Sequence, residues 1–548
     1  METLKESNEH IRNDSNETPN EKLLSHDDIL SSNRKLHLFE ETITFSEALE
    51  KTKYGRFNYL IIMVTGMAWA NVLMDTCSVA FYMTVASCDL QLTNYRKSLL
   101  SGIGFVGIIL SSQLWGFLAD TKGRRSVIWP SLVAGFVVTL ISSFSNNFWV
   151  ILVLRLFNGV FVCCSSATVY AYSSEFFTEK TRSKSIMISS FIFSFVGMIL
   201  PFLAFAIING EWSIVIPALG LIYKPWRLFV IVCGITGLVC GIIIYFLPES
   251  PKFLLSIYKE EEAKEVLQKI YRINGGKDEL KLPHIILEED STDISTPQKN
   301  DSSNMQQFFT SMWEQTVTLF RKKYILSTVV VSATQFWLYA IGTGLYMWFP
   351  HFINAMGEFM KNNPNEKGFL CDIIHEKDLS LNAKNNNQTT LDCPDKLENI
   401  TFAYAVLMDI LYLISFAILT FLVNRINKNF IMFIVILFCS GCGLVAIWTS
   451  NVSISAILYV IFFVVAIGIN ILGAITVDLY PTQLRGMAMC VSLMIGRLGS
   501  VIGTYIVGVL IANNCELTFY IPCCAMMICG FLILLLPRPI TVTNQDKT

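Results

Sequence analysis

Charge is scarce in this sequence: 15% of its 548 residues are Asp, Glu, Lys or Arg, against 53% hydrophobic. Soluble domains carry roughly a quarter charged residues, so much of the chain faces something other than water. The charges nearly cancel, to a net −2, which provides no basic surface for a nucleic acid. No nucleophile–base pair, phosphate-binding loop or metal-like Cys/His/acid spacing is visible. The reading is therefore no enzyme, no metal and no cofactor. The first fifty residues are polar and lack the apolar core and cleavage site of a secretory leader. That predicts a cytosolic N-terminus, with the first apolar run as its own membrane signal. The 15 cysteines sit mostly inside apolar runs, and Cys163, Cys164, Cys523 and Cys524 read as inert small hydrophobes.

Long apolar runs, by contrast, are plentiful. A membrane-crossing helix needs about twenty largely apolar residues. Such runs lie near 58–84, 98–118, 126–144, 149–172, 185–208 and 226–247, then near 325–349, 402–423, 430–449, 454–476, 487–510 and 518–536. The predicted class is an all-α membrane protein with twelve transmembrane helices in two pseudo-symmetric halves of six. The predicted organisation is a cytosolic tail over 1–56, a first half over 57–251, a cytosolic linker over 252–323, a second half over 324–537 and a cytosolic tail over 538–548. In the linker, Ala263, Val266, Leu267, Ile270 and Tyr271 recur at helical spacing and Gly275 follows as a stop, so a short amphipathic helix is expected. A polar, mobile stretch is expected at 286–304.

Short loops give the orientation. Lys122, Arg124 and Arg125 follow the second run, Lys180, Arg182 and Lys184 the fourth, and Arg425 and Lys428 the eighth; the links at 145–148, 450–453 and 511–517 hold no Lys or Arg. Basic loops stay cytosolic, so both termini are expected there and the long loop 350–400 outside. Glu175 and Arg182 follow the fourth run seven residues apart, and Asp478 and Arg485 repeat them after the tenth (478 − 175 = 303 and 485 − 182 = 303). That is a parallel duplication of six-helix halves.

The segment Gly116-x3-Asp120-x2-Gly123-Arg124-Arg125 matches the loop signature of the major facilitator superfamily, which the chain resembles. A worn echo, Asn424-Arg425-Ile426-Asn427-Lys428, occupies the matching place in the second half. Pro248-Glu249-Ser250-Pro251 and Asp478-Leu479-Tyr480-Pro481 resemble segments of sugar porters, organic-ion transporters and synaptic-vesicle glycoprotein 2 relatives. The position of the large outer loop is similar to the last group. In such proteins these charges gate the cycle, which implies that Gly116, Asp120, Gly123, Arg124, Arg125, Glu175, Arg182, Asp478 and Arg485 do so here. Their ion pairs are expected to hold the outward-facing state and to part for inward opening.

In the outer loop, Asn387 and Asn399 head glycosylation sequons. Cys371 and Cys393 are expected to form a disulfide, with Cys88 and Cys515 as competing partners.

Ionisable residues inside spans are costly and usually functional or paired. Four stand out: Asp75, Arg155, Asp409 and Arg497. Arg155 and Asp409 are placed near the outer surface, where Arg155 can reach water. Asn71, Asp75, Ser78 and Tyr82 form a polar stripe; Gln335, Tyr339, Gly342 and Tyr346 form another; Arg497, Ser500 and Thr504 a third. These stripes are expected to face a central cleft. The substrate or proton pathway is accordingly assigned to Asp75, Asn71, Gln335, Tyr339, Tyr346 and Arg497, with Asp75 as the proton site if transport is proton-coupled. The function implied is a secondary active transporter moving a small polar or charged organic solute by alternating access. The expected partners are the lipid bilayer, that solute and protons, with the protein a monomer in the plasma membrane or an intracellular vesicle. The other reading is a non-transporting, synaptic-vesicle-glycoprotein-like membrane protein that binds or regulates partners.

Overall fold

In a bilayer a backbone amide has no partner but another amide, so long apolar runs close on themselves as helices. The computed structural model describes residues 42–217, 220–287, 310, 313, 316–363, 367–375, 396–422, 425–480 and 482–536. Twelve of its helices are long and apolar enough to cross a membrane. Spans one to six are Arg56–Val85, Asn94–Lys122, Arg124–Ser143, Phe148–Ser174, Lys180–Ile208 and Pro225–Phe246. Spans seven to twelve are Ile325–Asn362, Asn399–Leu419, Lys428–Trp448, Val452–Thr476, Met487–Ile511 and Cys515–Leu534. The end bearing Lys122, Arg124 and Arg125 is the basic end; the other is the loop end.

Local chemistry sets several boundaries. Asn147 caps span four by accepting from Trp149 N at 2.8 Å. Asn451 caps span ten by accepting from Ser453 N and Ile454 N at 3.1 and 3.3 Å. Span seven overruns the expected end at 349. Pro350 stands in the first turn of the helical stretch Phe349–Asn362, where its missing N–H costs nothing, so it continues the span instead of stopping it.

The predicted tail and linker are more folded than expected. Strand Thr42–Thr44 pairs in parallel with His284–Ile286. Helix Phe45–Lys51 packs there with Pro251–Ser256 and with the expected amphipathic helix, Glu260–Ile273, which buries Ala263, Leu267 and Ile270. Asn274 ties this cap to span one: its Oδ1 accepts from Phe57 N at 3.0 Å and its Nδ2 donates to Lys53 O at 2.8 Å. The expected mobile stretch lies outside the described residues from 288 onward.

One large apolar core joins the two halves. Phe402 of span eight meets Phe81 of span one and Phe205 of span five, with ring centroids 6.5 and 5.3 Å apart. Beside these rings, Asn209 donates to Leu397 O at 3.0 Å and accepts from Leu397 N at 3.1 Å, and Glu211 pairs with Lys396. The loop ends of the halves are thus clasped together. Towards the basic end the apolar packing divides. Phe57, Val127, Tyr172 and Ile244 cluster within the first half, and Leu319, Tyr480, Ala488 and Val491 within the second.

The disulfide differs from expectation. Cys371 bonds Cys515, at the start of span twelve, with Cα atoms 5.6 Å apart, and not Cys393. Closeness in sequence favoured Cys393, but the fold returns span twelve to the side of the helical turn that carries Cys371. Cys88 is also disulfide-bonded. Cys393 and Asn387 lie outside the described residues, while Asn399 is exposed at the start of span eight. Cys163, Cys164 and Cys523 are buried free thiols, and Cys524 is exposed.

Candidate functional site

At the basic end, the tight turn between spans two and three requires Gly123, whose φ is +99°. A Cβ there would stand 2.6 Å from Glu249 Oε2. The Glu249 carboxylate accepts from Arg125 N at 3.0 Å and Ser126 N at 3.2 Å, capping the first turn of span three. Arg124 pairs with Asp120 at 3.0 Å and Glu175 at 3.2 Å. Glu175 lies just beyond span four, and burial raises its pKa, with Arg124 opposing. Every one of these partners belongs to the first half. The pairs are intact in the arrangement in which the loop ends are clasped. Gly116 faces open space, Arg182 is exposed, and the side chains of Asp478 and Arg485 lie outside the described residues.

The first polar stripe is likewise redirected. Asp75 is buried and accepts from Asn71 Nδ2 at 3.1 Å. Arg155 of span four is 4% exposed, so it does not reach water. It donates to Asp75 O at 2.9 Å, Ser78 Oγ at 3.0 Å and Tyr82 Oη at 3.1 Å. Asn158 of span four donates to Thr139 Oγ1 of span three at 2.7 Å, and both lie beside Asp75. The network is closed inside the first half, and Asp75 and Arg497 are not brought together.

The second stripe does reach the region between the halves. Span seven is regular to Tyr339, opens into a π turn over Ala340–Gly344, then tightens to a 3₁₀ turn over Leu345–Trp348. Such breaks concentrate at functional sites. Gly342 of this break packs on Ala466, within the 3₁₀ turn Val464–Ile467 of span ten. Gln335 and Tyr339 lie over Gly496 of span eleven. The neighbouring Arg497 donates across the halves to Ser166 Oγ of span four at 3.3 Å. Tyr346 stacks on Phe349 at 6.1 Å. Ser500 and Thr504 turn away from the cleft: Ser500 bonds Thr343, and Thr504 donates to Gly344 O at 3.3 Å.

A sequence profile of the sugar (and other) transporter family matches residues 56–347, more than half of the chain. The chain belongs to the sugar (and other) transporter family. Among its curated relatives, synaptic vesicle glycoprotein 2B of Mus musculus is 24% identical over 62% of this chain and 52% of its own length. Synaptic vesicle glycoprotein 2A of Homo sapiens is 28% identical over 57% and 44%. The chain thus spans about half the length of these relatives. Its fold is that of the xylose transporter of E. coli in the inward-open conformation: TM-score 0.61, 13% identity, 88% of this chain and 96% of that one. A nucleoside transporter gives TM-score 0.55 at 11% identity over 88% and 100%. The protein is an integral membrane member of the major facilitator superfamily.

Span eight carries two further polar groups, one of which, Asp409, the sequence singles out as a charge within a span. Tyr412 of span eight, whose Oη accepts from Asn470 Nδ2 of span ten at 3.4 Å, was not singled out. Asp409 lies ten residues into its span, about 15 Å along the axis, near mid-membrane and not within two turns of the surface. The i, i+3 spacing of Asp409 and Tyr412 on one helix face was the signal available.

Proposed function

We propose that this protein is a secondary active transporter that moves a small polar or charged organic solute by alternating access. The observation that carries this reading is the asymmetry between the ends. The loop ends are clasped by Asn209, Leu397 and the Phe81–Phe402–Phe205 rings, while the apolar packing of the basic ends divides by half. A polar and aromatic lining of Gln335, Tyr339, Tyr412, Asn470 and Arg497 lies in between. Rocking of two such halves about a fixed midplane site is the alternating-access motion. The basic loops assign the basic end to the cytosol, which makes this the inward-facing arrangement. Asp75, buried beside Arg155, is the group assigned to proton coupling.

The test is counterflow in liposomes bearing the purified full chain, preloaded in turn with xylose, nucleosides, amino acids, organic cations and organic anions. Labelled solute should accumulate in at least one case. Asp75→Asn should remove the response of that uptake to an imposed pH gradient. Uptake no greater than in protein-free liposomes for every solute would refute the transport reading.

A further inference from the structure

Two opposite charges within the spans have no counter-ion among the described residues. Among the described residues Asp409 makes no hydrogen bond or ion pair. Among the described residues the partners of Arg497 are neutral: it donates to the Ser166 hydroxyl at 3.3 Å and lies beside the Cys163 thiol. An uncompensated charge at mid-membrane is expensive and marks a ligand pathway or a relay.

Both charges face the region between the halves. The Asp409 carboxylate is within electrostatic reach of Cys77 of span one and Tyr346 of span seven. The Arg497 guanidinium is in the same relation to Cys163 of span four and Tyr339 of span seven. Tyr412, one turn beyond Asp409, stands near Tyr339. Tyr346 is thus near the carboxylate, Tyr339 near the guanidinium, and Tyr412 near Tyr339. The π turn of span seven falls between Tyr339 and Tyr346, and irregular backbone at membrane depth is tolerated where it is buried in protein or lines a cavity. Gln335, one turn before Tyr339, is 2% exposed, and its Oε1 has no partner. A buried acceptor of this kind needs a donor.

We propose that the cleft receives a zwitterionic solute, with its ammonium on Asp409 and its carboxylate on Arg497, an inference that rests on the transport reading for the location of the site. The planar guanidinium grips a carboxylate through two parallel N–H donors. The tyrosine rings accept the edge of an ammonium and the apolar spacer. Such a ligand neutralises both charges together. A simple cation leaves Arg497 unpaired, a simple anion leaves Asp409 unpaired, and a neutral polyol leaves both.

The test measures binding to the detergent-solubilised full chain by thermal shift and competition. The probes are the ω-amino acids from glycine to 6-aminohexanoate, with butylamine, butyrate and xylose as single-charge and neutral comparators. One or more ω-amino acids should bind at least about tenfold more tightly than every comparator. Asp409→Asn and Arg497→Gln should each remove that preference, since a charged hydrogen bond contributes at least about this much. Asp409→Glu, which keeps the charge, should retain it and controls for folding. Comparators that match the ω-amino acids, variants that keep the preference, or no binding by any probe would overturn the proposal. Proteoliposome uptake separates the two readings. Binding with the expected preference but no uptake refutes transport alone, whereas uptake of xylose that Asp409→Asn leaves unchanged refutes the zwitterion site alone.

Discussion

Arg155 should be the side chain on which the first half most depends. It donates to Asp75 O, Ser78 Oγ and Tyr82 Oη at 2.9, 3.0 and 3.1 Å, and its guanidinium lies 5.5 Å from the Tyr82 ring centre. That ring stacks on Trp226 at 5.7 Å. One residue therefore links spans one, four and six. Arg155→Met keeps an unbranched apolar stem but removes the positive charge, leaving the buried Asp75 carboxylate with neutral neighbours only: Asn71, Thr139 and Asn158. Removing one partner of a buried charge pair costs roughly 3–5 kcal/mol, and that is the loss expected here. Asp75→Asn should cost less, because the direct bonds of Arg155 go to neutral oxygens and survive. Adding Asp75→Asn to Arg155→Met removes the stranded charge and should recover at least about 1 kcal/mol, a coupling within the usual range for contacting residues. Thermal unfolding in detergent ranks the four proteins, and titration with a denaturing detergent gives the free energies. Wild-type stability of Arg155→Met, or a double variant no better than Arg155→Met, would refute the reasoning.

Three further outcomes are expected. Cys371→Ser and Cys515→Ser should each lower stability by about 2–4 kcal/mol, and non-reduced peptide mapping should recover Cys371 joined to Cys515 in the wild type; recovery of Cys371 joined to Cys393 would contradict the fold. Gly123→Ala should destabilise by about 1–3 kcal/mol, because alanine dislikes the +99° φ and its methyl displaces Glu249 from the turn; unchanged thermal unfolding would count against that account. Asn387→Gln should abolish a glycosidase-sensitive mass shift, since the long loop is assigned to the outer face; no shift in the wild type expressed in a glycosylating cell would count against that sidedness.

The twelve spans were legible because membrane length is a property of each run by itself. The Glu175/Arg182 and Asp478/Arg485 repeat announced the two halves for the same reason: it needs no partner to be read. The miss at Pro350 came from local chemistry, since a proline ends one turn and begins the next equally well. The larger misses concern which neighbour a face meets. The spacing of Asn71, Asp75, Ser78 and Tyr82 marked a polar stripe but not its direction, and the fold turns it toward Arg155 instead of the cleft. Cys371 had three plausible partners, and only the placement of span twelve selects Cys515. Asp409 was misplaced because its depth depends on where span eight begins, at Asn399. The pairing of 42–44 with 284–286 joins segments far apart in sequence, and neither carries a signal of the other.

The central claim is that the two halves must separate at the loop end for transport. Asn209 and Leu397 face one another across that end, joined by two hydrogen bonds of 3.0 and 3.1 Å. Cysteines at both positions, oxidised to a cross-link in purified protein, should hold the loop end shut. Uptake into proteoliposomes should then stop and return on reduction, while binding from the basic end persists and the wild type under the same treatment keeps its uptake. Uptake that continues at the uncross-linked rate when the cross-link is complete would contradict alternating access through this cleft.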